Sequence, residues 1–312
     1  MTSLSALRTP VESQNLVEPT WRAGHDFRLL ANGQILDSMT DDPNTTSTEA
    51  ERGQVSTAAA EIYDAFFVPA LFGQFPEKVL DHAQVGAGAR VLDVGCGTGV
   101  VAVAAHRRVG PDGAVIGVDP NEGMLAVARR SEPAIDWRPA TAESLPIDDD
   151  SVDHTVSQFA AMFFTDRDTA LSEMARVTVY GGTVTIATWA ALSRTPGYDS
   201  MVALIDDELG EEAADALRAP FVLGEADDVR EILSPLGDDI RVDELAGTAR
   251  FASIADWVHT DVRGWTLSDL VDDAGEAALV TRAERDLASF VSTDGTVAFP
   301  APALVGTIRI DH

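Results

Sequence analysis

Cysteine is almost absent from this 312-residue chain, which has only Cys96. One cysteine excludes a disulfide within the chain and a metal site built from several cysteines. The chain also lacks an apolar run long enough to span a membrane. Its first residues, MTSLSALRTPVESQNLVEP, lack the basic start and apolar core of a secretory signal. We therefore expect a cytoplasmic protein with no metal and no membrane span.

Basic residues are also scarce. The chain has 22 Lys and Arg against 51 Asp and Glu, a net charge of −29, and Lys78 is its only lysine. Such a chain repels phosphate backbones and anionic membrane surfaces, which argues against a nucleic-acid partner. Two explanations of the acidity stay open: a GC-rich genome, and a high-salt cytosol in which dense surface carboxylates keep a protein hydrated.

The hydrophobic pattern divides the chain into an arm and a domain. Residues 1–52 are polar and aperiodic, which predicts a flexible or loosely packed N-terminal arm. Residues 53–312 are predicted to form one domain. Strand-like and helix-like segments alternate up to Trp189, as is typical of βαβ units. The predicted strands are 90–95, 114–119, 135–140, 152–158 and 182–189, and the predicted helices between them are 98–109, 121–131 and 166–177.

The alternation does not extend to either end of the domain. Residues 56–83 predict one or two helices interrupted at Pro69 and Pro76. Beyond Trp189, we predict helices over 200–221, 225–237, 253–265 and 274–292, and strands over 239–252 and 295–310.

A glycine-rich segment, RVLDVGCGTGVVAV (90–103), joins the first strand to the first helix of the alternating region. Glycine permits positive φ and lets a ligand approach the backbone closely. The spacing of Gly95, Gly97 and Gly99 differs from the G-x-G-x-x-G of dinucleotide sites, since Val100 stands at the last position. No G-K-[ST] follows, so the segment is not a P-loop. Asp93 would repel a phosphate and attract a cation.

The second predicted strand ends at Asp119, where an acid can accept both hydroxyls of a ribose. A ribose, a positive charge and no phosphate together describe S-adenosyl-L-methionine.

Four segments carry a resemblance to a known family: VLDVGCGTG (91–99), VIGVDPNEGML (115–125), ATAESLPIDDDSVDHTVSQ (140–158) and ALSEMARVTVYGGTVTIATW (170–189). The chain resembles the class I S-adenosylmethionine-dependent methyltransferases, and is most similar to the small-molecule enzymes of ubiquinone and menaquinone biosynthesis. The resemblance covers about residues 58–190. It implies a doubly wound α/β fold: a mostly parallel, Rossmann-like sheet of seven strands with a reversed last strand. We expect a helical insertion over about 192–237 to form a lid.

The resemblance also implies the cofactor-binding residues. Gly95, Gly97 and Gly99 would lie under the methionine part, Asp93 near its amino group, and Asp119 on the ribose. The same set includes Met124 against the adenine, Ala142 and Glu143 at its edge, Gln158 facing the transfer site, and Tyr63 closing over the cofactor, together with Cys96, Pro120 and Thr141.

Two residues depart from the family pattern. Thr141 stands where an aspartate is frequent, which weakens the expected contact with the adenine amino group. Tyr180 replaces a proline before the fifth strand, which we expect to change a turn and leave the chemistry intact.

No general base is identified by these patterns. Gln158 and His259 are weak catalytic candidates. The main hypothesis is direct methyl transfer to an oxygen, carbon or nitrogen atom of a small molecule. The alternative is a regulatory or structural protein that binds S-adenosylmethionine without transferring the methyl group. A nucleic-acid methyltransferase is opposed by the charge and by the absence of an Asn-Pro-Pro-aromatic sequence after the fourth strand. A monomer and a homodimer both stay open.

Overall fold

The computed structural model of the chain describes residues 57–264, 267 and 271–311. The predicted arm, residues 1–52, lies outside the described residues.

A twisted sheet of seven strands forms the centre of the fold, in the order β3-β2-β1-β4-β5-β9-β6. Strand β9 runs antiparallel to both of its neighbours, β5 and β6, and the remaining pairs are parallel. This confirms the predicted mostly parallel sheet with a reversed last strand. Its strands are β1 (Arg90–Val94), β2 (Ala114–Asp119), β3 (Asp136–Pro139), β4 (Val152–Gln158), β5 (Thr178–Trp189), β6 (Ile240–Leu245) and β9 (Ala303–Arg309).

Helices cover both faces of the sheet, because the strands are apolar on both sides. Along β1, Val91 belongs to the apolar cluster shared with α3, α4 and α5, whereas Leu92 and Val94 belong to the cluster shared with α6 and α9. The helices are α3 (Pro76–His82), α4 (Val100–Val109), α5 (Glu122–Ser131), α6 (Arg167–Val177) and α9 (Ala226–Leu233).

Above the carboxyl ends of the strands lies a second layer, here called the lid. It comprises four helices and a two-stranded antiparallel sheet. The helices are α7 (Pro196–Leu209), α8 (Glu211–Arg218), α10 (Ile254–Arg263) and α11 (Asp273–Asp286), and the strands are β7 (Thr248–Phe251) and β8 (Val297–Pro300). Three short elements lie beside the lid: α1 (Thr57–Ile62), a π-helical turn (Tyr63–Phe67) and α2 (Val68–Ala70). No helix among the described residues is long and apolar enough to cross a membrane.

The lid differs from the predicted insertion in three ways. The predicted helix over 200–221 breaks at Gly210, whose φ of +92° separates α7 from α8. Helix α9 falls within the predicted lid, yet Val229 and Leu233 pack against Gly306 of the sheet. The lid also includes β7, α10, α11 and β8, which lie beyond residue 237. The prediction had placed the segment of β8 in the last strand of the sheet and the others in no layer.

Two predicted single strands are wrong. Residues 239–252 and 295–310 each form two strands that belong to different sheets, with breaks at Gly247 and at Ala301. The breaks lie side by side, since the Ala301 amide donates to the Gly247 carbonyl at 3.0 Å. A Cβ at residue 247 would approach the Ala301 carbonyl oxygen to 2.3 Å, so the crossing requires glycine.

Candidate active site

The glycine loop between β1 and α4 follows a left-handed path, with φ values of +70° at Gly95, +54° at Gly97 and +93° at Gly99. A Cβ at Gly95 would lie 2.4 Å from the Ala160 Cβ, and one at Gly99 would lie 2.5 Å from the indole of Trp137. A Cβ at Gly97 would meet no atom within 4 Å. The outer two glycines are therefore required by packing, and the middle one leaves room for a ligand.

Asp119 holds this loop from the end of β2. One carboxylate oxygen accepts a hydrogen bond from the Gly97 amide at 2.9 Å, and the other accepts from the Asn121 amide at 2.8 Å. The side chain is 8% exposed, and burial raises its pKa against the effect of the two amides. Asn121 in turn caps α5 by accepting from the Met124 amide at 3.1 Å.

Asp93 is buried at the end of β1, on the face covered by α4. It accepts a hydrogen bond from the Ala102 amide at 2.9 Å. Gly99 is the N-cap of α4 and has no side chain to cap the helix, so Asp93 supplies that bond from the preceding strand. Burial raises the pKa of Asp93 to about 7, and the negative charge of Asp119 adds to the rise.

The two carboxylates make this loop electronegative. No ion pair joins Asp93 or Asp119 to any other of the described residues. Burial raises the pKa of the Cys96 thiol, and both carboxylates raise it further, so the thiol stays protonated. Cys96 is therefore a small packing residue here, with no nucleophilic character.

The residues predicted to surround the adenine lie around the ends of β2 and β3. Met124 is partly buried, Pro120 and Thr141 are exposed, and Ala142 is buried in the core. Glu143 has a structural partner, because its carboxylate accepts from the backbone amides of Thr165 and Asp166 at the start of α6.

Gln158 is the last residue of β4. It lies beside the glycine loop, because Ala160, two residues further on, packs against Gly95. Its side chain is 8% exposed, and both its amide nitrogen and its amide oxygen lack hydrogen-bond partners. Buried amides are normally satisfied, so this group is suited to bind a ligand.

Tyr63 stands in the π-helical turn and stacks on Phe72, with ring centroids 5.2 Å apart. Burial raises the pKa of its hydroxyl, and the charge of Asp119 raises it further. Single π-turns within α-helices are frequent at functional sites.

Phe159, Trp189 and Phe72 form a surface, here called the aromatic wall, that extends from Gln158 towards the lid. Phe159 has a φ of +57°, which is strained for an aromatic residue, and its ring stacks on Trp189 with centroids 3.9 Å apart. Phe72 lies 5.6 Å from Phe159 and 5.7 Å from Trp189 between ring centroids.

A cavity lies between this wall and the lid. It is lined mainly by apolar side chains, including Phe67, Phe72, Trp189, Leu217 and Phe221. Three polar side chains also line it: Thr195, Tyr198 and Asp261.

Sequence reasoning missed Asp261. Its position carried a signal, because it follows Trp257 by four residues and so falls on the buried face of α10.

His259, the weak catalytic candidate, lies elsewhere on α10. Its Nδ1 is 2.8 Å from a carboxylate oxygen of Glu276, which also pairs with Arg263. Its side chain is 40% exposed, and it is not among the residues that line the cavity. Residues two apart on a helix face in nearly opposite directions, which explains why Asp261 reaches the cavity and His259 does not.

Comparison with known proteins agrees with this geometry. Residues 92–186, from β1 to β5, match the family model described as a methyltransferase domain. This segment is therefore similar to the methyltransferase domain family. Over 139 residues it is 38% identical to the ubiquinone/menaquinone biosynthesis C-methyltransferase UbiE of Xanthomonas oryzae, a match covering 42% of this chain and 55% of that protein. The chain thus spans about half the length of the curated relatives it matches.

Two solved structures show the same fold. A putative methyltransferase from an antibiotic biosynthesis pathway of Anabaena variabilis is 18% identical, with a TM-score of 0.55, and the match covers 75% of this chain and 97% of that one. The YcgJ protein of Bacillus subtilis is 20% identical, with a TM-score of 0.52, covering 77% and 99%. The class I methyltransferase fold predicted from the sequence is confirmed.

Proposed function

We propose that the protein transfers a methyl group from S-adenosyl-L-methionine to a small molecule. The observation that carries the proposal is the pair of buried carboxylates, Asp93 and Asp119, beside the open space at Gly97. Buried carboxylates without a countercharge are costly. A ligand that bears a positive charge would offset that cost.

The residues present suit this cofactor. Asp119 would accept from its ribose hydroxyls, Asp93 would lie near its amino group, and Gly97 would let its methionine part approach the backbone. Gln158 offers an unpaired amide to the same end of the site. The bound sulfonium would supply an activated methyl group, so the protein's main task is to align the acceptor and exclude water.

The cavity is evidence that the methyl acceptor is a small molecule. It is apolar and lies under the lid, beside the aromatic wall that begins next to Gln158. The net charge of −29 opposes binding of a nucleic acid. A cytoplasmic location and a homodimer are further proposals. Size-exclusion chromatography with light scattering tests the homodimer.

Calorimetric titration with S-adenosylmethionine tests cofactor binding. We expect Asp119→Ala to weaken binding by at least about tenfold, because hydrogen bonds to a charged group are worth roughly 1.5–3 kcal/mol. Asp112→Ala, at an exposed loop position, is the matched control and should bind as the unaltered chain does. Equal affinity in the two variants, both folded, would remove the ribose assignment.

Turnover separates an enzyme from a protein that only binds the cofactor. A panel of phenols, quinones and amines should yield at least one methylated product, detected by mass spectrometry. Tight cofactor binding with no product from any class would favour the regulatory or structural alternative.

A further inference from the structure

Phe159, the first residue after β4, has a backbone conformation that an aromatic residue rarely adopts. Its φ of +57° lies in the left-handed region, which glycine, asparagine and histidine tolerate better. Regular pairing ends directly before it, since Gln158 lies opposite Ala187 of β5, and the Phe159 amide donates to the Ala187 carbonyl at 2.8 Å. An extended residue here would continue along β5, so the left-handed turn is what takes the chain off the sheet.

The packing around the Phe159 ring offsets this strain. The ring stacks on Trp189, with the two planes 8° apart. Phe72 and Phe75 also contact it, at centroid distances of 5.6 Å and 5.3 Å. Contacts between aromatic rings are stabilising, and a strained backbone persists only where its surroundings hold it in place. Such strained residues are concentrated at functional sites, so the neighbours of Phe159 show which site it serves.

The turn at Phe159 brings Ala160 against the glycine loop. A Cβ at Gly95 would lie 2.4 Å from the Ala160 Cβ, so the alanine methyl group packs directly on the Gly95 backbone. On the β2 side, the Gly95 and Cys96 amides both donate to the Val118 carbonyl, at 2.8 Å and 3.0 Å. Because β1 lies between β2 and β4, the loop that follows β1 is held by Val118 on one side and by Ala160 on the other.

We propose that Phe159 is a positioning residue for the glycine loop. Its left-handed conformation, held by the stack on Trp189, sets Ala160 against Gly95 and so fixes the loop in the shape that receives S-adenosylmethionine. The proposal rests on the proposed function, since it concerns the same cofactor site. Trp189 lines the cavity under the lid, so the Phe159 ring joins the wall of that cavity to the cofactor loop.

Backbone conformation and packing make opposite predictions at this position. If Phe159 only fills the core, Phe159→Val should be tolerated best, then Phe159→Ala, then Phe159→Gly, because apolar volume falls in that order. If the left-handed conformation is what matters, the order reverses. Glycine adopts a positive φ without steric cost, alanine adopts it at a cost, and a β-branched residue is disfavoured most strongly.

Hydrogen exchange of the full chain, without S-adenosylmethionine, measures the loop directly. Peptides covering residues 93–99 report on it, because four of its amides are hydrogen-bonded: those of Gly95, Cys96, Gly97 and Gly99. Peptides from the central strand β9 report on global opening and are the control. We expect loop exchange, corrected for that control, to stay within about threefold of the unaltered chain in Phe159→Gly and to rise at least about tenfold in Phe159→Val. Phe159→Ala should lie between them.

A fourth variant, Phe159→His, keeps the test decisive if one of these chains does not fold. Histidine retains a ring that can stack on Trp189 and tolerates a positive φ, so its loop exchange should resemble that of the unaltered chain. Circular dichroism and the melting temperature verify folding. Phe159→His replaces Phe159→Gly in the comparison with Phe159→Val if the former does not fold. If Phe159→Val does not fold, Phe159→Gly and Phe159→Ala decide between the two orders.

Cofactor affinity, measured by calorimetry on the same variants, should follow the order of loop exchange. Three outcomes would overturn the proposal: the packing order of loop exchange, equal loop exchange in all folded variants, or equal cofactor affinity in variants whose loop exchange differs. Because the exchange experiment contains no cofactor, its result is independent of the calorimetric test of Asp119. An unaltered chain that does not bind S-adenosylmethionine would remove the proposed function, and the order of exchange would still decide whether Phe159 positions the loop.

Discussion

The Gly97 amide donates to the Asp119 carboxylate at 2.9 Å, joining the ends of β1 and β2. This one hydrogen bond fixes both the shape of the glycine loop and the orientation of Asp119, the acid that we expect to bind the ribose. The middle glycine and the acid are one structural unit, although 22 positions separate them in the chain.

Alanine substitutions in the loop should separate binding from stability. In Gly97→Ala the new Cβ meets open space, so the cost is the strain of a positive φ, about 1 kcal/mol. We expect a small fall in melting temperature and at least about a tenfold loss of affinity for S-adenosylmethionine. In Gly95→Ala the Cβ meets Ala160 at 2.4 Å, and the fall in melting temperature should be clearly larger. Similar melting temperatures in the two variants would contradict this distinction.

Stability should decrease as the pH rises from about 4 to about 7, in part through Asp93. The folded state keeps the Asp93 proton up to its raised pKa of about 7, whereas the unfolded chain releases it at the ordinary aspartate pKa, near 3.8. A difference of one bound proton changes the free energy of unfolding by about 1.4 kcal/mol per pH unit. Asp119 and Asp261 also have raised pKa values and act in the same direction.

Urea unfolding at pH 5, 6 and 7 measures this contribution. Asp93→Asn keeps an acceptor for the Ala102 amide and cannot ionise, so its stability should fall less steeply with pH than that of the unaltered chain. The exposed Asp112→Asn is the control and should leave the slope unchanged. An unchanged slope in Asp93→Asn would mean that Asp93 ionises normally in the folded protein.

His259 and Asp261 should behave differently although both lie on α10. His259→Gln removes the contact with Glu276 at a partly exposed position, so we expect turnover to be retained with a slightly lower melting temperature. Asp261→Asn changes the group that faces the cavity, and turnover should fall by at least about tenfold. Both are measured on an acceptor found in the panel. Loss of turnover in His259→Gln with a normal melting temperature would return that histidine to the catalytic candidates.

Salt should stabilise the protein. Repulsion among 51 acidic side chains against 22 basic ones opposes folding, and the Debye length falls from about 10 Å at 0.1 M to about 3 Å at 1 M salt. We expect the melting temperature to rise between these concentrations of sodium or potassium chloride. A large rise with partial unfolding near zero salt would favour the high-salt cytosol, and a modest one the GC-rich genome. A flat or falling melting temperature would contradict the idea that net charge limits stability.

The sequence predicted the central sheet well because its signals are local. Strand β4 has the predicted bounds, and the glycine loop has the expected path. The lid was harder to predict. The residues of β6 and β7 have the pattern of one continuous strand, and the contact that separates them, between Gly247 and Ala301, is not local in the sequence. Asp261 was missed for a related reason. Whether an acid on a helix faces solvent or a cavity depends on what packs against that helix, and here the neighbour is Tyr198 of α7, about 60 residues earlier in the chain.

The chain passes between the sheet and the lid twice at one level, at Gly247 and at Ala301, where one hydrogen bond joins the two passages. Gln74 binds the lid at the same level, since its side chain donates to the Thr248 carbonyl at 3.0 Å and accepts from the Thr248 amide at 2.9 Å. Gln74 ends the 3₁₀ turn that begins with Phe72, and Phe72 lines the cavity. A single glutamine therefore ties the first residue of β7 to the turn that supplies part of the cavity wall.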